Sequence, residues 1–334
     1  MSFKINDRVA VVIPCYAVKR HILDVISQVP ENVERIYTVD DNCPENTGDL
    51  IEKECTDKRV KVLRNSINRG VGGAMMYGYQ VAIDDGMTIL VKIDGDGQMN
   101  PSFIDMFVQP ILAGRADYVK GNRFFDLETV RQMPKMRLVG NAGLSFISKF
   151  STGYWDIFDP TNGYTAIHSK VADLIPFNKI SERYFFETDI LFRLNTIGAV
   201  VLDLPMVAQY GNEKSNLKIS KVALEFGLKH IKNTAKRVLY NYWLRNFSVA
   251  SIQLFLGLCL LLFGSSFGVL SWYEAASKNI LSPVGTVMIA AMSILVGLQF
   301  ILAFLAYDMN SVPSEPLHPH LNSKLKNSLD THGE

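Results

Sequence analysis

Cysteine is scarce and unpatterned. Cys15, Cys43, Cys55 and Cys259 form no CxxC pair and no zinc-ligand spacing, which excludes a structural zinc site and a disulfide framework. Charge of one sign is lacking too. The 34 Lys and Arg stand against 33 Asp and Glu, a net charge of +1, so no basic field draws this chain onto nucleic acid. The N-terminus, MSFKINDRVAVVIPCY, has a short apolar run but no signal-peptide core followed by a small-residue cleavage site. It reads as a first β-strand, and the N-terminal part is expected to stay in the cytoplasm. GK[ST] is missing after the glycine-rich stretch Asn68 to Ala74, which excludes a P-loop there. Met75 stands where a dinucleotide fingerprint needs its last glycine, and the stretch does not follow the first strand. Hydride chemistry on a dinucleotide is disfavoured accordingly.

Two stretches lack charge altogether. Ser248 to Trp272 and Ser282 to Tyr307 are apolar and uncharged, each reaching the ~20 residues that cross a hydrocarbon core. The short linker between them holds Glu274, Lys278 and Asn279, so the pair is expected to form a transmembrane helical hairpin. Lys229, Lys232, Lys236, Arg237 and Arg245 precede the first stretch, with no acidic residue between Lys229 and Asn246. The positive-inside rule then places the large N-terminal part and the C-terminal tail in the cytoplasm. Between Lys218 and Trp243, Val222, Leu224, Phe226, Leu228, Ile231, Val238 and Leu239 recur at helical spacing among lysines, which predicts helices lying on the membrane surface. The organisation expected is a cytoplasmic domain over 1–215, amphipathic helices over 216–246, two membrane helices over 247–307 and a polar tail over 308–334. Three prolines and no apolar period leave that tail loosely ordered in expectation.

The first part alternates strands with helices. Val9–Ile13, Ile36–Val39, Val60–Leu63, Ile89–Ile93 and Tyr118–Lys120 read as strands. Ile22–Val29, Gly48–Glu54, Gly72–Asp85 and Pro101–Leu112 read as helices. Continuous apolar strands in βαβα order predict an α/β fold with a mainly parallel sheet covered on both faces. Ligands of such sheets bind beyond the carboxyl ends of the strands. The polar clusters lie at those ends: Pro14-Cys15-Tyr16, Asp40-Asp41-Asn42, Asn65 to Gly73, and Asp94 to Gln98.

Asp94-Gly95-Asp96-Gly97-Gln98 leaves its strand with two carboxylates one residue apart. Hard oxygen ligands in that arrangement suit Mg²⁺ or Mn²⁺, with substrate phosphates completing the shell. Asp40 and Asp41 could accept N–H or O–H bonds from a base or ribose. Asn68 to Gly73, including Gly72, opens a helix whose N-terminus favours phosphate.

Taken in order, VVIPCY, VDDNCPENTGDLI, NRGVGGAMMYG, KIDGDGQMNP, KGNRF and DPTNGYTAIH resemble the inverting GT-A glycosyltransferases of family 2. Within that family the chain is similar to polyprenol/dolichol-phosphate sugar synthases, bacterial two-helix branch. The opening departs from the usual P-x-Y-N-E: Pro14 and Tyr16 are kept, while Ala17-Val18 replace Asn-Glu. The resemblance implies a Rossmann-like GT-A domain and a nucleotide-sugar site made by Pro14, Tyr16, Asp40, Asp41, Asn68, Gly72 and Asp94. It implies a metal, Mg²⁺ or Mn²⁺, on Asp94, Asp96 and Gln98. Acceptor phosphate would meet Arg123, Arg137 and Asn141, and catalysis would rest on Asp96, Arg123, Arg137 and Asp159. Asn162, Glu187 and Asp189 would line the sugar pocket.

The activity so implied is inverting transfer of a sugar from a UDP- or GDP-linked donor to polyprenyl phosphate. The setting would be the cell inner membrane, and the assembly a homo-oligomer such as a tetramer. Transfer to a lipid hydroxyl such as diacylglycerol needs a base, which Asp159 or Glu187 could supply. A membrane-tethered nucleotide-sugar-binding protein without chemistry is the non-enzymatic alternative. A polysaccharide synthase is disfavoured, because Tyr242-Trp243-Leu244-Arg245 lacks the Q-x-x-R-W order and only two spans exist.

Overall fold

The computed structural model describes residues 7–125, 135–206 and 219–321, without the side chains of 135–137 and 219–223. Residues up to 234 and from 313 form one compact unit, and 235–312 form a second.

The first unit is built on a seven-stranded sheet in the order β3-β2-β1-β4-β6-β5-β7. The strands are β1 (Val9–Cys15), β2 (Arg35–Asp40), β3 (Val60–Arg64), β4 (Ile89–Lys92), β5 (Tyr118–Asn122), β6 (Thr165–His168) and β7 (Val201–Pro205). β1 pairs in parallel with β2 and β4, β2 with β3, and β5 with β7, whereas β6 runs antiparallel between β4 and β5. The continuous apolar runs account for the parallel half: Val9, Ala10, Val11, Val12 and Ile13 are fully buried because helices cover both faces. α1 (Ile22–Ser27) and α4 (Ile104–Leu112) bury Ile22, Val25, Ile104 and Phe107 in that core. α2 (Thr47–Glu54) and α3 (Gly70–Asp84) complete the βα units.

The reversed strand β6 and the edge strand β7 go beyond the five strands read from sequence, as do α5 (Lys135–Thr152), the single turn α6 (Ser169–Ala172) and α7 (Phe186–Ile197). α8 (Ile219–Leu239) is one continuous helix. Phe226 meets the ring of Phe185 edge-on at 5.2 Å, His230 bonds Ser151 Oγ at 2.7 Å, and Asn233 reaches Asp189. The opposite face leaves Leu224, Leu228 and Ile231 exposed. One face therefore packs on the domain and the other keeps the apolar character expected of a membrane surface. The side chain of Val222 and the boundary at 215/216 lie outside what the structure describes.

The tail departs from expectation. Residues 313–321 belong to the first unit. The buried carboxylate of Asp117 accepts the backbone N–H of Leu317 at 2.9 Å and of His318 at 2.9 Å, and His318 Nδ1 lies 2.8 Å from it. The His318 ring stacks on His168 at 4.5 Å. A proline-rich segment has no apolar period, so this fastening leaves no mark on a hydropathy pattern. Residues 322–334 lie outside the described ones.

In the second unit, α9 (Val249–Ser277) and α10 (Val284–Asn310) are both long and apolar enough to cross a membrane. They touch through small residues: a Cβ at Gly264 would lie 3.0 Å from the Ala290 carbonyl, and one at Gly297 would lie 2.9 Å from the Leu261 nitrogen. Such contacts let apolar helices pack closely where no hydrophobic force separates them from lipid. At the end of α10, Asp308 is buried against Arg237, with bonds of 2.6 and 2.9 Å, and against the Tyr242 hydroxyl at 2.5 Å.

Candidate active site

A cleft of about 700 Å³ opens beyond the carboxyl ends of β1 and β4. Pro14 near the end of β1 and Tyr16 just after it, Asp41 after β2, Asn68 and Gly70 at the start of α3, and Asp94, Asp96 and Gln98 after β4 all line it. The far wall comes from Arg123, Thr161, Gly163 and Glu187. Loops separated by up to 173 positions in sequence thus converge, because parallel strands deliver all their exits to one edge.

The turn after β4 is held locally. Asp96 Oδ1 accepts the Gln98 N–H at 3.0 Å, and Gly97 adopts a left-handed φ of +78° that the turn requires. Asp94 Oδ1 lies 2.6 Å from Nζ of Lys92, the last residue of β4. Among the described residues no group of three or more His, Cys, Asp or Glu could hold a metal ion by itself. Asp94, Asp96 and the Gln98 amide instead offer a partial oxygen set. That fits an ion which takes one or two carboxylates and leaves the rest of its shell to phosphate.

Adjacent acids part company at the end of β2. Asp40 turns inward, its two oxygens accepting Cys43 N at 2.8 Å and Gly48 N at 2.7 Å, so it folds the 43–48 turn and does not line the cleft. Asp41 faces the cleft, yet its oxygens hold the next loop, accepting Asn65 Nδ2 at 2.7 Å, Arg69 N at 2.9 Å and Gly70 N at 2.7 Å. Gly72 also stands behind the wall. A Cβ there would lie 2.3 Å from the Ser181 carbonyl, so its glycine serves close packing of α3 on 181–182.

Arg123 enters the cleft with its guanidinium fixed. Nε donates to Asp159 Oδ2 at 2.8 Å and Nη2 to Asp159 Oδ1 at 2.9 Å. Asp159 is buried, and its two oxygens hold the guanidinium of Arg123 in place. Asn162 is likewise buried, its Oδ1 accepting Tyr164 N at 2.9 Å, while its neighbours Thr161 and Gly163 face the cleft. Asp189 points away from the cleft and accepts Ser181 N at 2.9 Å and Asn233 Nδ2 at 3.1 Å. Asn141 sits half-exposed on α5, outside the lining of the cleft. The Arg137 side chain lies outside the described residues.

Glu187 does face the cleft, from the first turn of α7. Burial pushes its carboxyl up to about 7, against the opposing pull of Lys92 and Lys120. Its own backbone N–H is the hydrogen bond it receives.

Residues 10–175 match the profile of glycosyl transferase family 2. A UDP-N-acetylglucosamine–dolichyl-phosphate N-acetylglucosaminyltransferase of Methanococcus voltae is 30% identical over 187 residues, 52% of this chain and 74% of that protein. The chain belongs to glycosyl transferase family 2. Another relative, the polyprenol monophosphomannose synthase of Mycolicibacterium smegmatis, is 29% identical over 60% of this chain and 77% of its own length. Among solved structures, glucosyl-3-phosphoglycerate synthase from Mycobacterium tuberculosis shares the fold. Its UDP complex superposes with a TM-score of 0.54 at 15% identity, covering 69% of this chain and 80% of that one. Its complex with Mn²⁺, UDP and glucosyl-3-phosphoglycerate gives 0.50 at 16% identity, over 70% and 79%.

Several cleft residues of this family 2 chain escape a reading of the sequence alone. Lys92 is one, and its signal was present: a lysine inside the apolar strand ILVK, two positions before Asp94 and so on the same side of the strand. Arg183 and Tyr184 are others. They are brought to the cleft because Glu182 O accepts the Gly73 N–H at 3.0 Å and the Glu182 carboxylate meets Arg69 at 2.6 Å. That docking joins segments far apart in sequence, and no local pattern announces it.

Proposed function

We propose that this protein transfers a sugar from a nucleotide-sugar donor to a polyprenyl phosphate with inversion at the anomeric carbon. The observation that carries this reading is the convergence in one cleft of Asp94 and Asp96 with the oriented guanidinium of Arg123. The chemistry is a meeting of two phosphate-bearing substrates. A lipid phosphate is already anionic at neutral pH and needs no base, so the site's work is positioning and charge neutralisation. Pro14, Tyr16 and Asn68 would flank the nucleotide, with Asp41 fixing the loop that carries Asn68. Asp94, Asp96 and Gln98 would hold Mg²⁺ or Mn²⁺, which neutralises the diphosphate leaving group when bound. The planar guanidinium of Arg123, aimed by Asp159, suits a phosphate oxygen of the acceptor. Arg137 and Asn141, early on α5, are assigned to the same acceptor. Glu187 would receive a hydroxyl of the sugar.

The two apolar helices suit an enzyme whose acceptor lives in a bilayer, and the basic residues before them favour a cytoplasmic catalytic domain. A bacterial inner membrane, a homo-oligomer such as a tetramer, and a UDP- or GDP-linked donor complete the proposal.

One observation supports a second reading. Glu187 has a carboxyl pushed to about 7, the range of a general base, so transfer to a lipid hydroxyl such as diacylglycerol is its natural rival. A single experiment separates them. Purified protein in detergent is given Mn²⁺ or Mg²⁺, a panel of UDP- and GDP-sugars, and either polyprenyl phosphate or diacylglycerol. A sugar-phospholipid made only with the phosphate acceptor is expected. Product on diacylglycerol, lost in Glu187→Gln, would replace the first reading. Turnover of no donor, despite nucleotide binding, would leave the non-catalytic binding protein.

A further inference from the structure

Lys92 is an ammonium in a place built for apolar side chains. β4 is buried throughout, and Lys92 is 1% exposed. Its Nζ meets Asp94 Oδ1 at 2.6 Å, the Gly163 carbonyl at 3.1 Å and the Phe186 ring at 5.5 Å, and the buried Glu187 carboxyl feels its charge. Only Asp94 carries a full charge in hydrogen-bonding range. The lysine end of this pair is buried and the Asp94 end is 32% exposed, so losing Asp94 leaves the ammonium desolvated. Backbone closes over it as well. A Cβ at Gly163 would lie 2.4 Å from Lys92 Nζ and 2.8 Å from Asp94 Oδ2, so the pair is packed against the chain at that point.

The loop beneath has its own support. In register across the sheet, Lys92 faces Thr165 on β6, and Thr165 faces Lys120 on β5. Lys120, fully buried, donates to the Asn162 carbonyl. The 159–163 loop therefore stays tied through Lys120 if Lys92 changes partner.

We infer that Lys92 is a resident counter-ion that occupies Asp94 until metal and nucleotide diphosphate arrive together, when its ammonium passes from the Asp94 carboxylate to a phosphate oxygen of the donor. This rests on the assignment of Asp94 and Asp96 to the metal. A divalent cation arriving alone must displace the ammonium and take away its hydrogen-bonded carboxylate. A diphosphate arriving with the cation gives the ammonium a new partner. Metal and nucleotide binding are thus coupled through one side chain, and by linkage each tightens the other by the same factor. Lys92 is a positioning residue on this account, holding the empty carboxylate and then the diphosphate.

The test measures Mn²⁺ affinity by the spin-resonance signal of free Mn²⁺, and UDP and GDP affinity by calorimetry. The proteins are the full-length wild type, Lys92→Met and Lys92→Gln. In the wild type, saturating nucleotide should tighten Mn²⁺ by ~10-fold or more. In both variants Mn²⁺ alone should bind tighter than in the wild type, while nucleotide in the presence of Mn²⁺ should bind more weakly. These opposite signs distinguish the exchange from a structural role, which would weaken both. Weaker or unchanged Mn²⁺ binding in the variants overturns the inference and leaves the metal site standing. Independent binding of Mn²⁺ and nucleotide in the wild type overturns it without any variant. A wild type that takes up no Mn²⁺ even with nucleotide overturns the metal assignment and the inference together.

Discussion

Asp159→Asn tests whether the site positions a phosphate or removes a proton. The carboxylate makes two charge-assisted bonds to Arg123, 2.8 and 2.9 Å long, and also accepts Arg123 N at 3.3 Å. Asparagine keeps the volume and one acceptor, so the fold should survive, but it cannot face a guanidinium with two oxygens. Losing one charge-assisted bond is worth about 1.5–3 kcal/mol. If that loss appears in the transition state through a misaimed Arg123, kcat/KM should fall by ~10–100-fold. The loss should concentrate in the acceptor, raising its KM while the donor KM changes little, and the pH profile should keep its shape. Steady-state kinetics in detergent with varied polyprenyl phosphate, repeated across about pH 5.5–8.5, reads all three. A far larger fall in kcat at unchanged acceptor KM, with the acid limb of the profile gone, would make Asp159 the base and refute the reasoning.

Other outcomes follow from the same contacts. Asp96→Ala should lower turnover by more than the ~10–100-fold typical of losing an outer-shell partner of a metal; turnover retained at saturating Mn²⁺ would remove the metal from this turn. Asp308→Ala removes the carboxylate that the buried Arg237 and the Tyr242 hydroxyl share, and should cost about 3–5 kcal/mol in a detergent unfolding titration. An unchanged midpoint would show that the Arg237–Asp308 contact contributes nothing. His168 has its pKa pushed down to about 3, chiefly by burial and then by His318 and Lys170. The unfolded chain binds that proton below a pKa of about 6.5, so its contribution is complete above that value and declines as pH falls, by about 1–2 kcal/mol at pH 5. His168→Asn keeps a side-chain acceptor for Lys170 N and should flatten stability between pH 7 and 5; an undiminished slope would place the titration elsewhere.

The parallel half of the sheet was legible because burial on both faces demands unbroken apolar runs, and Val9–Cys15 and Ile89–Lys92 carry them. β6 was not. Thr165–His168 is four residues long and mixes polar with apolar, and its antiparallel insertion between β4 and β5 is a matter of pairing, not of local propensity. β7 leaves every residue partly exposed or exposed, as an edge strand can. The fastening of 313–321 depends on a carboxylate two hundred positions earlier. Composition named the right kinds of residue at the strand exits, but which of two neighbouring acids faces the cleft is decided by backbone geometry that composition does not carry.

That decision has a physical criterion. A carboxylate already surrounded by donors is committed to the fold, since taking those donors away would leave buried N–H groups unpaired. Asp40 holds Cys43 N and Gly48 N, Asp41 holds Asn65, Arg69 and Gly70, Asp159 holds Arg123, and Asp189 holds Ser181 and Asn233. These four shape the walls. Asp94 is different, because its partner is the Lys92 ammonium, a side-chain charge that a metal ion can replace at the carboxylate, while no backbone N–H depends on that Asp94 oxygen. Glu187 differs again, its acceptor need met by its own N–H while the carboxylate looks into the cleft. The acids able to act on a substrate are those whose present partners can be exchanged. By that rule the proposed chemistry falls to the turn after β4 and to Glu187, with the other carboxylates keeping Arg123 and the loops around the cleft in place.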